Sequence, residues 1–290
     1  MTQIKDSMFM VTGAASGIGR AVAIGAARAG AYVLATDVEL TGLTVTAATI
    51  QEAGGRVEAM PLDVGDAGQI DLFADRAGRM FPHHRLILLN NAGVGLGSGT
   101  FVQNELADFA WLLNINLWGV IRMSKAFLPL MLNRPGSHIA NVSSVFGFCG
   151  PPETAAYSTA KFAVRGFTDV LRNELAGTGV GVSTVFPGGV RTNIAATSRL
   201  GGGRTEAQRA IVAEKFAQRS MTSPEQAAEV ILTGIRKNKA RILIGFDAQM
   251  IDWITRLLPT GYSPVLLPGI EKTFLPKEAR NPNPVATPSP

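Results

Sequence analysis

Short apolar runs recur along the chain, separated by longer stretches in which apolar and polar positions alternate with a helical period. The runs fall at 8–11, 31–36, 57–62, 86–90, 138–143, 180–186 and 241–245. Each has the length of a strand, and most are too uniformly apolar to leave one face in water, which points to strands buried on both sides. Between them, 44–53, 69–80, 106–133, 156–176 and 224–237 read as helices, as does 20–29, which Gly30 stops. The helix at 224 has a clear start: Ser223 as N-cap, Pro224 at the first helical position and Gln226 completing a capping box. Strand alternating with helix throughout implies an α/β fold, a parallel sheet of about seven strands with helices on both faces. No internal repeat is visible.

The first strand, Met8-Phe9-Met10-Val11, runs into Thr12-Gly13-Ala14-Ala15-Ser16-Gly17-Ile18-Gly19 and then into a helix. Strand, glycine-rich turn and helix bring a pyrophosphate against free backbone N–H groups at a helix N-terminus. The glycines let the backbone turn tightly and approach phosphates with no Cβ in the way. The spacing is Gly-x-x-x-Gly-x-Gly rather than Gly-x-Gly-x-x-Gly, and a tight strand–helix connection is the alternative reading. The second strand ends in Asp37, about twenty residues past the loop. A carboxylate there can accept hydrogen bonds from the adenosine ribose and repel a 2′-phosphate. Val38 and Glu39 follow it, with no Arg or Lys adjacent, so NAD(H) is expected over NADP(H). The alternative is an Asp that caps the next turn.

Tyr157 and Lys161 stand four residues apart in Tyr157-Ser158-Thr159-Ala160-Lys161, on one face of a helix. A cation beside a phenol favours the phenolate and pulls its pKa toward the range useful for general acid–base catalysis. Alone, the pair also fits a half-buried Tyr beside a solvated Lys.

Taken together, these features resemble the short-chain dehydrogenase/reductase family, in its compact single-domain branch, from about Met8 to Gly245. Thr12-Gly13-x-x-x-Gly17-x-Gly19 matches the family's cofactor loop with its spacing, and Leu62-Asp63-Val64 matches the segment that holds the adenine. Asn90-Asn91-Ala92-Gly93 matches its Asn-Asn-Ala-Gly turn, and Asn116 sits where the family keeps a catalytic asparagine. Ser144 lies thirteen residues before Tyr157, and Pro187-Gly188-Gly189-Val190-Arg191-Thr192 matches the turn that meets the nicotinamide end. The resemblance implies a Rossmann-type doubly wound sheet and a cofactor site built from Gly13, Ser16, Gly17, Ile18, Gly19, Asp37, Asp63, Val64, Asn91, Ala92, Gly93, Tyr157, Lys161, Pro187, Gly188, Val190 and Thr192. It implies catalysis by Asn116, Ser144, Tyr157 and Lys161. Tyr157 would be the general acid or base. Lys161 would lower its pKa and bind the nicotinamide ribose, and Ser144 would stabilise charge on the substrate oxygen. Asn116 would hold a water linking Lys161 to solvent. No metal site is expected.

The chain has 290 residues, 46% of them hydrophobic, enough for one large domain, expected over 1–250. Its +5 charge is scattered without a Lys/Arg run, and charged residues make up only 17%, so a nucleic-acid partner is not expected. A lone cysteine, Cys149, fits a reducing cytoplasm and reads as a small wall residue rather than a nucleophile. The polar Met1–Ser7 start carries no visible targeting peptide, and a cytoplasmic location is expected. The helices at 106–133 and 152–176 are apolar around much of their circumference; by resemblance they would pair subunits into a homo-dimer or homo-tetramer.

Residues 193–222 are expected to form a substrate lid, loosened by Gly201-Gly202-Gly203 and made basic by Arg204, Arg209 and Arg219. Eight of the sixteen prolines fall in 259–290, where an extended or disordered run is expected. Before it, 248–258 reads as an amphipathic helix closing over the core or a partner. The alternative is a rim for a lipophilic substrate or a shallow membrane contact, but only Arg241 and Arg256 would support the latter, so membrane contact is not expected. The pocket walls are expected to be Val94, Leu96, Val145, Phe146, Phe148, Cys149, Pro151, Pro152, Val190 and the lid, with no cation placed to clamp a carboxylate. An apolar alcohol or ketone substrate follows. Two other functions are open: a 3-oxoacyl-thioester reductase using NADPH, and a non-catalytic dinucleotide sensor.

Overall fold

In a computed structural model, which describes residues 2–274, the strands are β1 (Met8–Thr12), β2 (Tyr32–Asp37), β3 (Arg56–Pro61), β4 (Leu86–Asn90), β5 (Leu96–Gly97), β6 (His138–Val142), β7 (Gly181–Pro187), β8 (Arg199–Leu200) and β9 (Arg241–Ile244). The helices are α1 (Gly17–Arg28), α2 (Leu40–Glu52), α3 (Ala67–Met80), α4 (Leu106–Leu113), α5 (Gly119–Leu132), α6 (Ala155–Glu174), α7 (Glu206–Arg219), α8 (Pro224–Arg236), α9 (Phe246–Leu257) and α10 (Ser263–Phe274). Seven strands form one sheet in the order β3-β2-β1-β4-β6-β7-β9, and every pairing within it is parallel. The apolar runs of the sequence are its centre: β1, β4 and β6 are buried at every residue.

Two apolar layers sandwich the sheet. Phe9, Val11, Val33, Ile87 and Leu89 face α1 and α8, while Met8, Met10, Leu34, Leu86 and Leu88 face α3 and α5. The chain leaves β1 toward β2 on one side and returns as β4 on the other. That reversal opens a crevice at the carboxyl ends of the strands, where ligands of doubly wound sheets bind.

The long helix expected over 106–133 is one rod with a π turn, Asn114–Trp118, set between α4 and α5. The extra residue of such a turn re-aims the side chains in it. The lid region holds β8 and α7, so it is ordered rather than loose. The reading of 259–290 as extended fails over Ser263–Phe274, which is helical despite Pro264 and Pro268. Pro264 sits in the first turn, where no N–H is needed, and Leu266 and Ile270 pack onto the cluster around Phe148, Phe186 and Ile251. The proline-rich end at 281–290 lies outside the described residues. α9 lays Ala248 and Ile251 on the core but turns Phe246, Met250, Trp253 and Leu257 outward.

Candidate active site

The glycine loop closes the carboxyl end of β1. Gly13 has φ +70° and Gly17 φ +53°, left-handed values that favour glycine. Gly19 acts differently from its neighbours. A Cβ there would stand 2.0 Å from the Gly13 carbonyl oxygen, so its bareness lets α1 seat against the loop. It is not on the pocket surface, whereas every other expected cofactor residue is. Ser16 caps α1 without a side-chain hydrogen bond and the first turn holds no acid, so the helix N-terminus is left to an anion.

Thr12, which the motif reading gave no role, ties this loop to the next. Its hydroxyl accepts the amides of Asn91 and Ala92, both at 3.0 Å. The Asn91 side chain donates back to the carbonyls of Thr12 (3.0 Å) and Gly13 (3.1 Å). Across the cleft, Asp37 is held by the amides of Ala15 (2.8 Å) and Glu39 (3.0 Å), which leave its carboxylate free lone pairs toward the pocket. Asp63 lies on the same wall, accepting the Gly65 amide at 2.7 Å. Arg20 also reaches this end, although the sequence places no cation beside Asp37. It spends its hydrogen bonds on the carbonyls of Ala15 and Gly42 (the latter 3.2 Å) and on the Thr46 hydroxyl at 3.1 Å.

At the other end of the cleft, β6 delivers Ser144 and α6 delivers Tyr157 and Lys161. Ser144 stands beside the Tyr157 phenol and draws its pKa down, against a larger upward push from burial; the phenol titrates above its ordinary 10.0. The expected lowering of Tyr157 by Lys161 is not found: burial of the phenol is the larger influence, and Ser144 is the group that opposes it. Lys161 is buried, donates from Nζ to the Val142 carbonyl at 3.0 Å, and lies 5.6 Å from the centre of the Tyr157 ring. Burial brings its pKa down from 10.5 to about 8. This arrangement keeps Tyr157 protonated and ready to donate.

Asn116 is fully buried behind the wall, not on the pocket surface. The π turn aims its amide at Val94, whose N–H and carbonyl it binds, each at 2.8 Å. A Cβ on Gly93 would lie 3.3 Å from Asn116 Oδ1 and 3.7 Å from Lys161 Nζ, so the bare glycine brings amide and ammonium to one space.

The cavity holds about 690 Å³, and its substrate end is walled by Val94, Leu96, Val145, Phe146, Pro152 and Val190, as expected. Phe148 and Cys149 turn away from it into the core. Phe148 stacks on Phe186 at 4.2 Å between ring centres, and burial pushes the Cys149 thiol up to about 12. Pro151 does not line it either. Ile194, Leu200, Val212 and Phe216 of the lid complete the apolar wall, and the lid's Arg204 and Arg209 stand in it, although no cation was expected to face the substrate. The turn at Pro187–Thr192 is held by α9: the Gly189 amide donates to Asp247 at 2.6 Å. No cluster of metal-binding side chains occurs among the described residues.

The residues therefore fit a nicotinamide dinucleotide: a bare loop at a helix start, a carboxylate at the ribose end and a Ser-Tyr-Lys group at the far end. Comparison with known proteins agrees. The short chain dehydrogenase family profile matches residues 7–201. A putative oxidoreductase SadH of Mycobacterium tuberculosis is 35% identical over 277 residues, covering 94% of this chain and 99% of that one. A short chain dehydrogenase/reductase of Burkholderia phymatum, solved in complex with NAD, superposes with a TM-score of 0.78 at 29% identity over 100% of both chains. A metagenomic short-chain oxidoreductase in complex with NADP gives a TM-score of 0.66 at 27% identity, over 84% of this chain and 98% of that one. The chain belongs to the short-chain dehydrogenase/reductase family and is an oxidoreductase of that family.

Proposed function

We propose that this protein interconverts a secondary alcohol and a ketone on an apolar substrate, using NAD(H). The observation that carries the reading is the grouping of Ser144, Tyr157 and buried Lys161 on the wall of an apolar chamber continuous with the glycine loop. When bound, the dinucleotide supplies or accepts the hydride. Tyr157, protonated by virtue of its burial, donates its proton to the substrate oxygen, or takes one up in the oxidative direction. Ser144 donates a hydrogen bond to that oxygen as charge gathers on it. Lys161, a cation below about pH 8, balances the phenolate that the transfer leaves. Asn116 positions the Gly93–Val94 turn, and the space it shares with Lys161 suits a water that returns protons to Tyr157.

Asp37 supports NAD(H), since its carboxylate repels a 2′-phosphate. Arg20 supports the second reading, an NADPH-linked 3-oxoacyl-thioester reductase, because its guanidinium lies at the same end of the cleft. Its bonds to two carbonyls hold it away from that role. We also place the protein in the cytoplasm as a homo-oligomer, joined through the outward Trp118, Phe162 and Val170 of the α4–α6 face.

Titration with NADH and NADPH, followed by turnover on a panel of ketones, tests both readings. NADH is expected to bind more tightly. Tyr157→Phe is expected to keep dinucleotide affinity and lose turnover by at least a thousandfold; a Phe variant that still turns over ends the proposed mechanism.

A further inference from the structure

The lid is stitched to the pocket by three kinds of contact. β5 and β8 pair in parallel, and the ladder is extended by the amides of Arg199 to Gly95 (3.0 Å), Gly201 to Gly97 (2.9 Å) and Gly99 to Gly202 (3.0 Å). Arg199 pairs with Asp108 at 3.1 Å and covers the Trp111 ring at 4.8 Å. Arg204 makes the third contact. Its Nε donates to the Ser98 carbonyl at 3.3 Å, and its guanidinium pairs with Glu153. Both side chains of that pair are buried, 6% and 9% exposed, the most secluded ion pair among the described residues.

Glu153 is an unusual partner. Its φ of +59° is a left-handed value that costs a non-glycine residue on the order of 1 kcal/mol or more. It sits in the turn Pro152–Glu153, two residues before α6 begins and four before Tyr157. Arg204 thus joins the lid to the strained entry of the helix that carries the proton donor.

We infer that Arg204 and Glu153 form a latch that fixes the start of α6 and shuts the lid over a neutral apolar substrate. The inference rests on the oxidoreductase reading of the site. Both are positioning residues, acting through the Tyr157 helix rather than on the reacting atoms. A buried ion pair suits a latch because its desolvation cost nearly cancels its attraction. Shutting it therefore fixes geometry at little net free energy, and the lid still opens for exchange of substrate and product. The pairing also decides substrate charge. With Glu153 neutralising Arg204, and Glu206 3.8 Å from Arg209, the wall of Val94, Leu96, Ile194, Leu200, Val212 and Phe216 offers that end of the substrate no net charge.

The test uses the full chain and the variants Arg204→Met, Glu153→Gln and their combination. Hydrogen exchange is followed at the bonded lid amides Arg199 and Gly201 and at Ser158, whose amide bonds Thr154 at the start of α6. Arg204→Met is expected to speed exchange at Ser158 at least tenfold, and Glu153→Gln to do the same at Arg199 and Gly201. The double variant is expected to exchange no faster than the faster single one. NADH affinity, measured in parallel, is expected to stay within twofold. With neutral ketones from cyclohexanone to 2-decanone, the single variants are expected to raise KM at least tenfold while kcat changes less than threefold. The latch is overturned if either variant leaves exchange at the opposite element unchanged, or if the two effects simply add. Failure of the oxidoreductase reading would look different: no ketone turned over by the unaltered protein, whatever the exchange rates.

Discussion

Replacing Lys161 by Met should make the protein more stable while abolishing its activity. Lys161 is an ammonium with only 4% exposure, and its pKa falls from 10.5 to about 8 because burial penalises its charge. At about 1.36 kcal/mol per pKa unit, that gap is a penalty of about 3 kcal/mol on the folded state at neutral pH. Met has a similar length and no charge, so it removes the penalty. It also leaves the Val142 carbonyl without its 3.0 Å donor, which costs about 1 kcal/mol. The balance is a gain of about 2 kcal/mol, or roughly 4–8 °C in Tm for a domain of this size. The pH dependence has a definite sign. Between about 8 and 10.5 the unfolded chain keeps the Lys161 proton that the folded chain has lost, so the unaltered protein gains stability as pH rises through that window. The advantage of the Met variant is then full below about pH 8 and fades toward 10.5. Urea unfolding without added dinucleotide, at pH 7 and in steps to pH 10.5, measures it. A variant less stable than its parent at pH 7, or a difference that does not narrow with pH, would refute the argument that burial dominates at this lysine.

Three further outcomes follow from the geometry. On the proposed NAD(H) reading, Asp37→Ser should shift the ratio of NADPH to NADH affinity at least tenfold toward NADPH, by removing a carboxylate that would repel the 2′-phosphate; direct titration of both reads it, and an unmoved ratio would place the discrimination elsewhere. Gly19→Ala should weaken NADH binding at least tenfold while the protein stays folded, since the new methyl meets the Gly13 carbonyl at 2.0 Å and pushes the loop out of shape. His138 is buried between Thr2 (3.2 Å) and Ser183 (2.8 Å) and titrates at about 3 rather than 6.5. Its stabilising contribution is complete above 6.5 and lost as pH falls toward 3, about 2 kcal/mol of it between pH 7 and 5. His138→Gln should flatten that part of the stability–pH curve, and a curve of unchanged slope would mean that other groups carry it.

The sequence by itself determined the sheet and named most of the candidate site. A run such as Leu86–Asn90 can only be a strand buried on both faces, and seven such runs separated by helices leave one architecture. The glycine loop, Asp37, Ser144, Tyr157 and Lys161 were legible because their chemistry depends on residue type and short spacing, both of which are local. What the tertiary structure decided depends on contacts between distant segments. Arg20 reaches Gly42 and Thr46, and Arg204 reaches Glu153, only because distant segments fold together. Phe148 and Cys149 leave the pocket because Phe186 and Ile251 offer them an apolar bed that no neighbouring residue signals. The protonation states of Tyr157 and Lys161 were decided in the same way. Spacing places a cation near a phenol, but how far packing withdraws each from water sets its protonation, and here desolvation raises the partly buried phenol and lowers the buried ammonium. Burial is a property of the whole packed chain, so it was beyond the reach of a four-residue motif.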